Sequence, residues 1–203
     1  MCARYAKDNE RIRAKTKKLL LDSALKVFAR LGIHAGSIAL IAKEAGVSKG
    51  LAYHYFSSKE DILVDLAVAR LDEWAALIKG LESLNDPFQR LEFLVDFVLN
   101  ELKQKKEWLR FYTGLYLTHD GQRAISKAME IHRERFERLF SLERGILKDL
   151  GVAEVEAEQI YLRSILQGIC LEYMLSDDYP LDVMRKRLIQ SYEKRESEEK
   201  KHE

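Results

Sequence analysis

Lys49, Gly50, Tyr53 and His54 fall three and four residues apart, the spacing that gathers side chains on one face of an α-helix. A cation, a bare backbone position, a phenol and an imidazole on one short face suit a surface that touches nucleic acid. Lys49 can reach a guanine edge or a phosphate, and the missing side chain of Gly50 lets the backbone approach base edges. Ala52 and Phe56, four apart, form the inward side of the same helix. Lys59 follows two serines at the next helix start, where its charge adds to backbone amides already suited to a phosphate.

Such a helix needs a neighbour to present it. Ile38, Ile41, Ala42 and Ala45 recur at helical spacing just before it, so residues 38–45 predict a helix with one apolar face. Ser37 stands where an N-cap belongs. Gly46 is suited to a left-handed helix stop, Val47 to an apolar wedge, and Ser48 to a second N-cap. A stop, a core contact and a start within three residues predict a helix-turn-helix. In that motif the N-terminal half of the second helix enters the major groove. Ser57 or Ser58 then caps a further helix, with Asp61 placed to complete a capping box with Ser58.

The string A-G-V-S-K-G followed by Y-H-Y-F-S-S-K-E resembles the DNA-binding domain of the tetracycline-repressor (TetR) family of bacterial regulators, over roughly residues 13–65. The resemblance implies a dimeric repressor that a small molecule releases from its operator. Carried over by position, it implies DNA contacts at Ser37, Lys49, Gly50, Leu51, Tyr53, His54, Tyr55 and Lys59. Two departures from the family pattern stand out. Leu51 replaces a threonine that commonly meets DNA, leaving a thymine-methyl contact but no phosphate hydrogen bond. Ala39-Leu40 replaces the usual polar pair ahead of the turn.

Composition agrees with a front that binds nucleic acid and a body that does not. The net charge of +1 over 203 residues hides an asymmetry. Residues 1–60 hold twelve Lys/Arg and five Asp/Glu, a surplus of seven positive charges; the remainder holds 22 and 28, a deficit of six. Arg4, Lys7, Arg11 and Arg13 offer an arm against DNA, although a charged start of this kind also reads as frayed. Two cysteines, Cys2 and Cys170, make neither a disulfide framework nor a metal spacing. There is no H-E-x-x-H, G-x-x-x-x-G-K-[ST] or G-x-S-x-G, and Gly46 to Gly50 follows a helix rather than a strand, so no enzyme is expected. An apolar leader and a membrane-length apolar run are both lacking. The expectation is a cytoplasmic protein with no cofactor, metal or membrane contact.

With two prolines, ten glycines and long 3.6-periodic runs, the chain reads as all-α with about nine helices. Residues 1–58 are expected to form a three-helix helix-turn-helix domain. Residues 59–203 are expected to form a helical bundle for ligand binding and dimerisation. Helix stops are expected at Gly32, Gly46 and Gly151, with Asp86 capping a helix that Pro87 opens. Residues 118–121, T-H-D-G, read as a turn, and 122–150 as one helix with an Arg/Glu ladder on its solvated side. The charged tail beyond residue 193 is expected to fray.

Aromatics concentrate in the body. Phe97, Trp108, Tyr112, Tyr116, His132, Phe136, Tyr161 and Tyr173 are the candidate lining of a pocket for a flat or long apolar effector. Taken singly, packing is the leading reading of each, since aromatics fill helical cores. The last two helices, near 155–176 and 181–192, carry apolar stripes with small residues. These fit a homodimer interface, which the resemblance implies, or burial within the same chain. DNA reading favours two heads, since heads one helical turn (~34 Å) apart read a palindrome of double-stranded operator DNA. The alternative is an architectural or protein-recruiting DNA binder with no small-molecule effector.

Overall fold

A computed structural model describes the backbone of residues 2–104 and 106–199, and the side chains of these except 2–7, 70, 72, 73, 106 and 194–199. Every regular element among the described residues is helical. In order they are α1 (Cys2–Ala35), α2 (Ile38–Glu44), α3 (Lys49–Tyr55), α4 (Lys59–Glu82), α5 (Pro87–Gln104), α6 (Lys106–Leu117), α7 (His119–Ile131), α8 (Arg133–Asp149), α9 (Val155–Leu175) and α10 (Leu181–Glu199). The backbone is helical from Cys2 onward, so the expected frayed start is not seen there. Of the anticipated arm, Arg11 and Arg13 stand exposed on α1, while the Arg4 and Lys7 side chains lie outside the described residues. The tail side chains from residue 194 are likewise outside them.

Two compact units form. One comprises Met1–Arg70 with Arg110–Ile131, the other Leu71–Leu109 with His132–Glu203. In the first, Leu20, Val27 and Phe28 of α1 are buried, as are Ile41 of α2, Ala52 of α3, Phe56 at the end of α3, and Ile62 and Leu66 of α4. Phe111 and Leu115 of α6 are buried too, and Phe111 stacks on Phe28 with ring centres 5.9 Å apart. Burying each of the larger of these side chains is worth about 1.5–3 kcal/mol. In the second unit Leu91, Leu94 and Val95 of α5 join Leu139, Ile146 and Leu147 of α8, Leu162, Leu166 and Ile169 of α9, and Leu188, Ile189 and Tyr192 of α10. Half-buried Cys170 packs against this core.

The anticipated stops all mark breaks in helical geometry: Gly46 and Gly151 lie just past the ends of α2 and α8, while Gly32 (φ 78°, ψ 161°) kinks α1 ahead of its last residues. Gly32, Gly46 and Gly151 all have positive φ, a region closed to most side chains. Asp86 Oδ1 accepts from the Gln89 amide at 2.7 Å, capping α5.

Residues 122–150 correct the sequence reading. They do not form one helix, because the chain leaves helical geometry at His132 (φ −117°, ψ 34°) between α7 and α8. The described residues form ten helices where about nine were expected. Residues 119–121 are also helical, since α7 starts as soon as the Thr118 hydroxyl accepts from the Gly121 amide at 3.2 Å. Glu143 departs from the solvated ladder too. It is buried between α8 and α9, where it accepts from Gln159 Nε2 and Arg163 Nε at 2.8 Å each. The Arg163 guanidinium in turn lies 3.9 Å over the Phe140 ring. Burial pushes the Glu143 carboxyl above its ordinary range, against the pull of Arg163 and Gln159.

Candidate nucleic-acid interface

The turn between α2 and α3 is held from both sides. Ser37 Oγ accepts from the Leu40 amide at 3.3 Å, and α2 then ends as the Gly46 amide bonds the Lys43 carbonyl and the Val47 amide the Ala42 carbonyl. Gly46 takes φ 67°, so a residue with a side chain here would strain the turn. Ser48 Oγ accepts from the Leu51 amide at 3.1 Å and starts α3. These bonds satisfy amides that a helix start leaves unpaired.

Because the start of α3 is fixed, its two faces are fixed as well. Ala52 and Phe56 are buried at 1% and 2% exposure. Lys49, Gly50 and His54 are exposed, with Leu51 at 39% and Tyr53 at 48%; Tyr55 is half-buried. The Lys49 ammonium stands over the Tyr53 ring, and the His54 and Tyr55 rings meet edge to face at 5.7 Å. A Cβ added at Gly50 would meet nothing within 4 Å. Packing within the chain therefore gives no reason for glycine at this place, whereas close approach to another molecule does.

Ser37 and Lys59 also serve the head internally. The Ser37 oxygen caps α2, leaving its hydroxyl proton to donate elsewhere. The Ser58 amide bonds Asp61 Oδ2 at 3.0 Å while the Asp61 amide bonds Ser58 Oγ at 3.1 Å, the reciprocal box its spacing predicts. Lys59 Nζ donates to the Ile33 carbonyl at 3.1 Å and lies 3.3 Å from Asp120 Oδ2. Its hydrogen bond and charge hold the Asp120 carboxyl below its usual range. Sequence reasoning missed Asp120, which lies 61 positions from Lys59 with no local pattern to mark the pairing.

The candidate pocket residues divide between the two units. Tyr112 and Tyr116 belong to the first; Phe97, Trp108, His132, Phe136, Tyr161 and Tyr173 belong to the second. Phe97 and Tyr173 pack against the second core. His132 sits at the start of α8, and Tyr116 and Tyr161 are each 52% exposed. Among the described residues no three His, Cys, Asp or Glu side chains come together to hold a metal ion, and no helix is long and apolar enough to cross a membrane.

A short helix with a buried apolar side and an outward cationic and aromatic side, set by a glycine turn on a second helix, defines a helix-turn-helix DNA-binding regulator. Residues 20–66 match the family described as bacterial regulatory proteins, tetR family. Over 180 residues the chain is 32% identical to the HTH-type transcriptional regulator BetI of Vibrio campbellii, covering 85% of this chain and 87% of that one. The fold is similar to that of FadR from Bacillus subtilis, solved in complex with stearoyl-CoA (TM-score 0.72, 18% identity, 86% of this chain and 96% of that one). It is also similar to a regulator from Saccharomonospora viridis solved in complex with choline (TM-score 0.67, 19% identity, 88% and 95%). The chain belongs to the TetR family and is a DNA-binding transcriptional regulator.

Proposed function

We propose that the chain acts as a homodimeric repressor, released from a palindromic operator by a small apolar or aromatic effector. The observation that carries this reading is the outward face of α3, Lys49, Gly50, Tyr53 and His54, over buried Ala52 and Phe56. One such head meets too few bases to be specific, and a twofold pair doubles the reading. Pairing through α9 and α10 is supported by exposed Ile160, Leu171 and Leu175 on α9 and Val183 on α10, with Gly168 open to close approach. The aromatic residues of the second unit support an apolar effector. Release requires that the effector favour the conformation that does not fit DNA, since equal affinity for both shifts nothing.

The experiment is operator release. DNA flanking the chain's own gene is bound in a gel shift, and stearoyl-CoA, choline and a panel of aromatic compounds are added in turn. A compound that releases the DNA is expected also to raise the melting temperature of the free protein, and sedimentation is expected to give a dimer. A monomer in sedimentation would refute the twofold reading. Retention of DNA against the whole panel, with no thermal gain, would favour an architectural binder instead.

A further inference from the structure

Lys59 opens α4 three residues beyond Phe56, the buried residue that ends α3. The Ser58–Asp61 box fixes that first turn, and the Lys59 ammonium reaches back to the Ile33 carbonyl near the end of α1. Carbonyls in the last turn of a helix have no partner within it, so the ammonium supplies one. The same ammonium faces Asp120 in the first turn of α7. One cation therefore ties three helix ends together.

The corner that carries Asp120 is itself firmly set. Thr118 Oγ1 donates to the Gly114 carbonyl at 2.7 Å as well as accepting from Gly121. A Cβ at Gly121 would lie 2.4 Å from the Leu115 backbone, so α6 and α7 touch there. Phe111 on Phe28, and Gly114 against the Ile33 side chain, seat this corner on α1. All of these residues belong to one unit.

We infer that Asp120 is a positioning residue for DNA reading: by holding Lys59 against the end of α1, it fixes the turn from α3 into α4 and with it the angle at which Lys49 and Tyr53 are presented. The α6–α7 corner is then a working part of the reading head. The inference rests on α3 being the helix that meets DNA. Without the carboxylate the ammonium keeps, among the described residues, the Ile33 carbonyl, and the turn gains freedom. The loss falls on base contacts, which need fixed geometry, more than on phosphate attraction, which carries no sequence information.

The test compares two duplexes: one enriched from a random library by the wild-type protein, and an unrelated one of equal length. Asp120→Asn is expected to bind the enriched duplex about tenfold more weakly, yet the unrelated duplex as well as or better than wild type, because an acidic charge is gone. Asp120→Glu is expected to restore most of the discrimination. Arg123→Gln, which removes another cation beside Asp120 and leaves Lys59 in place, is expected to keep it. Circular dichroism and melting check that each variant is folded; Asp120 is about a third exposed, so the amide is readily accommodated. Unchanged binding by Asp120→Asn, or tightening of both duplexes by one factor, would make Asp120 a mere surface charge and overturn the inference. If the wild type enriches no sequence, or Lys49→Ala discriminates as well as wild type, the assignment of α3 fails instead.

Discussion

The ammonium of Lys49 lies 5.7 Å from the centre of the Tyr53 ring, one turn further along α3. At an exposed site such a contact is worth about 0.5–1 kcal/mol, enough to bias a long side chain toward one position before DNA arrives. Tyr53→Ala is therefore expected to remove both the ring and the ordering of Lys49. DNA affinity falls by about 1–3 kcal/mol, the range for a good base contact, while stability changes by less than about 0.5 kcal/mol. Tyr53→Phe keeps the ring and is expected to keep most of the affinity; if it falls as far as alanine, the hydroxyl rather than the ring does the work.

Phosphate neutralisation by the head makes binding salt-dependent. Log affinity is expected to fall linearly with log salt at roughly 0.9 per phosphate engaged, and Lys49→Ala to flatten that slope if its ammonium meets the backbone. A flat response in the wild type would count against groove binding.

Arg185 on α10 grips Asp96 on α5 through Nη2 at 2.8 Å and through Nε, with Glu92 alongside. The paired carboxylates push the already high Arg185 pKa further up. The groups are about a third exposed, so solvent screens the pair and its worth stays near 1 kcal/mol. Arg185→Leu is expected to lower the melting temperature by about 2–4 °C. No change on melting would place the pair among surface contacts that contribute nothing.

Two glycines give opposite expectations. A methyl at Gly121 would force α6 and α7 apart, and Gly121→Ala is expected to cost about 1–3 kcal/mol. A methyl at Gly168 meets nothing within 4 Å, so Gly168→Ala is expected to leave the isolated chain as stable or more so. If α9 meets its twofold mate there, the same change weakens dimerisation. Denaturant midpoints and sedimentation separate the two effects.

The pH dependence of stability carries two signs. Glu143 has a raised folded pKa, so its ionisation is harder in the fold than in the unfolded chain. Its contribution is complete below the ordinary carboxylate range and is lost as pH rises through the folded value. Glu143→Gln cannot ionise, so its stability relative to wild type is expected to improve as pH rises above the ordinary carboxylate range of about 4. Asp120 works the other way: its depressed pKa contributes above the ordinary range, and the gain disappears as pH falls through the folded value. A pH-independent difference between wild type and Glu143→Gln in urea midpoints would show that burial does not perturb this carboxyl.

What could be read from the sequence was local. Gly46 between two apolar helices, Ser48 at a helix start and Asp61 three residues after Ser58 each act within one turn, and the backbone obeys them. The break at His132 left no such mark, because neither glycine nor proline stands there and the apolar spacing runs through it in phase. Glu143 sits in a series of alternating charges, and only the arrival of Gln159 and Arg163 from α9 distinguishes it from its neighbours. The partners of Lys59, 26 and 61 positions away, are products of tertiary packing. The aromatic residues kept their spacing but fell into different units, which composition cannot foresee.

Gly50 carries a practical consequence. The fold leaves room for a methyl group at this position, and alanine is the better helix former by up to about 1 kcal/mol. A mutant library ranked only on heat tolerance is therefore expected to drift toward alanine here, and if α3 meets DNA through Gly50, the sturdier proteins it enriches bind their operator more weakly. Screens for hardier variants of this regulator need a transcriptional readout at every round.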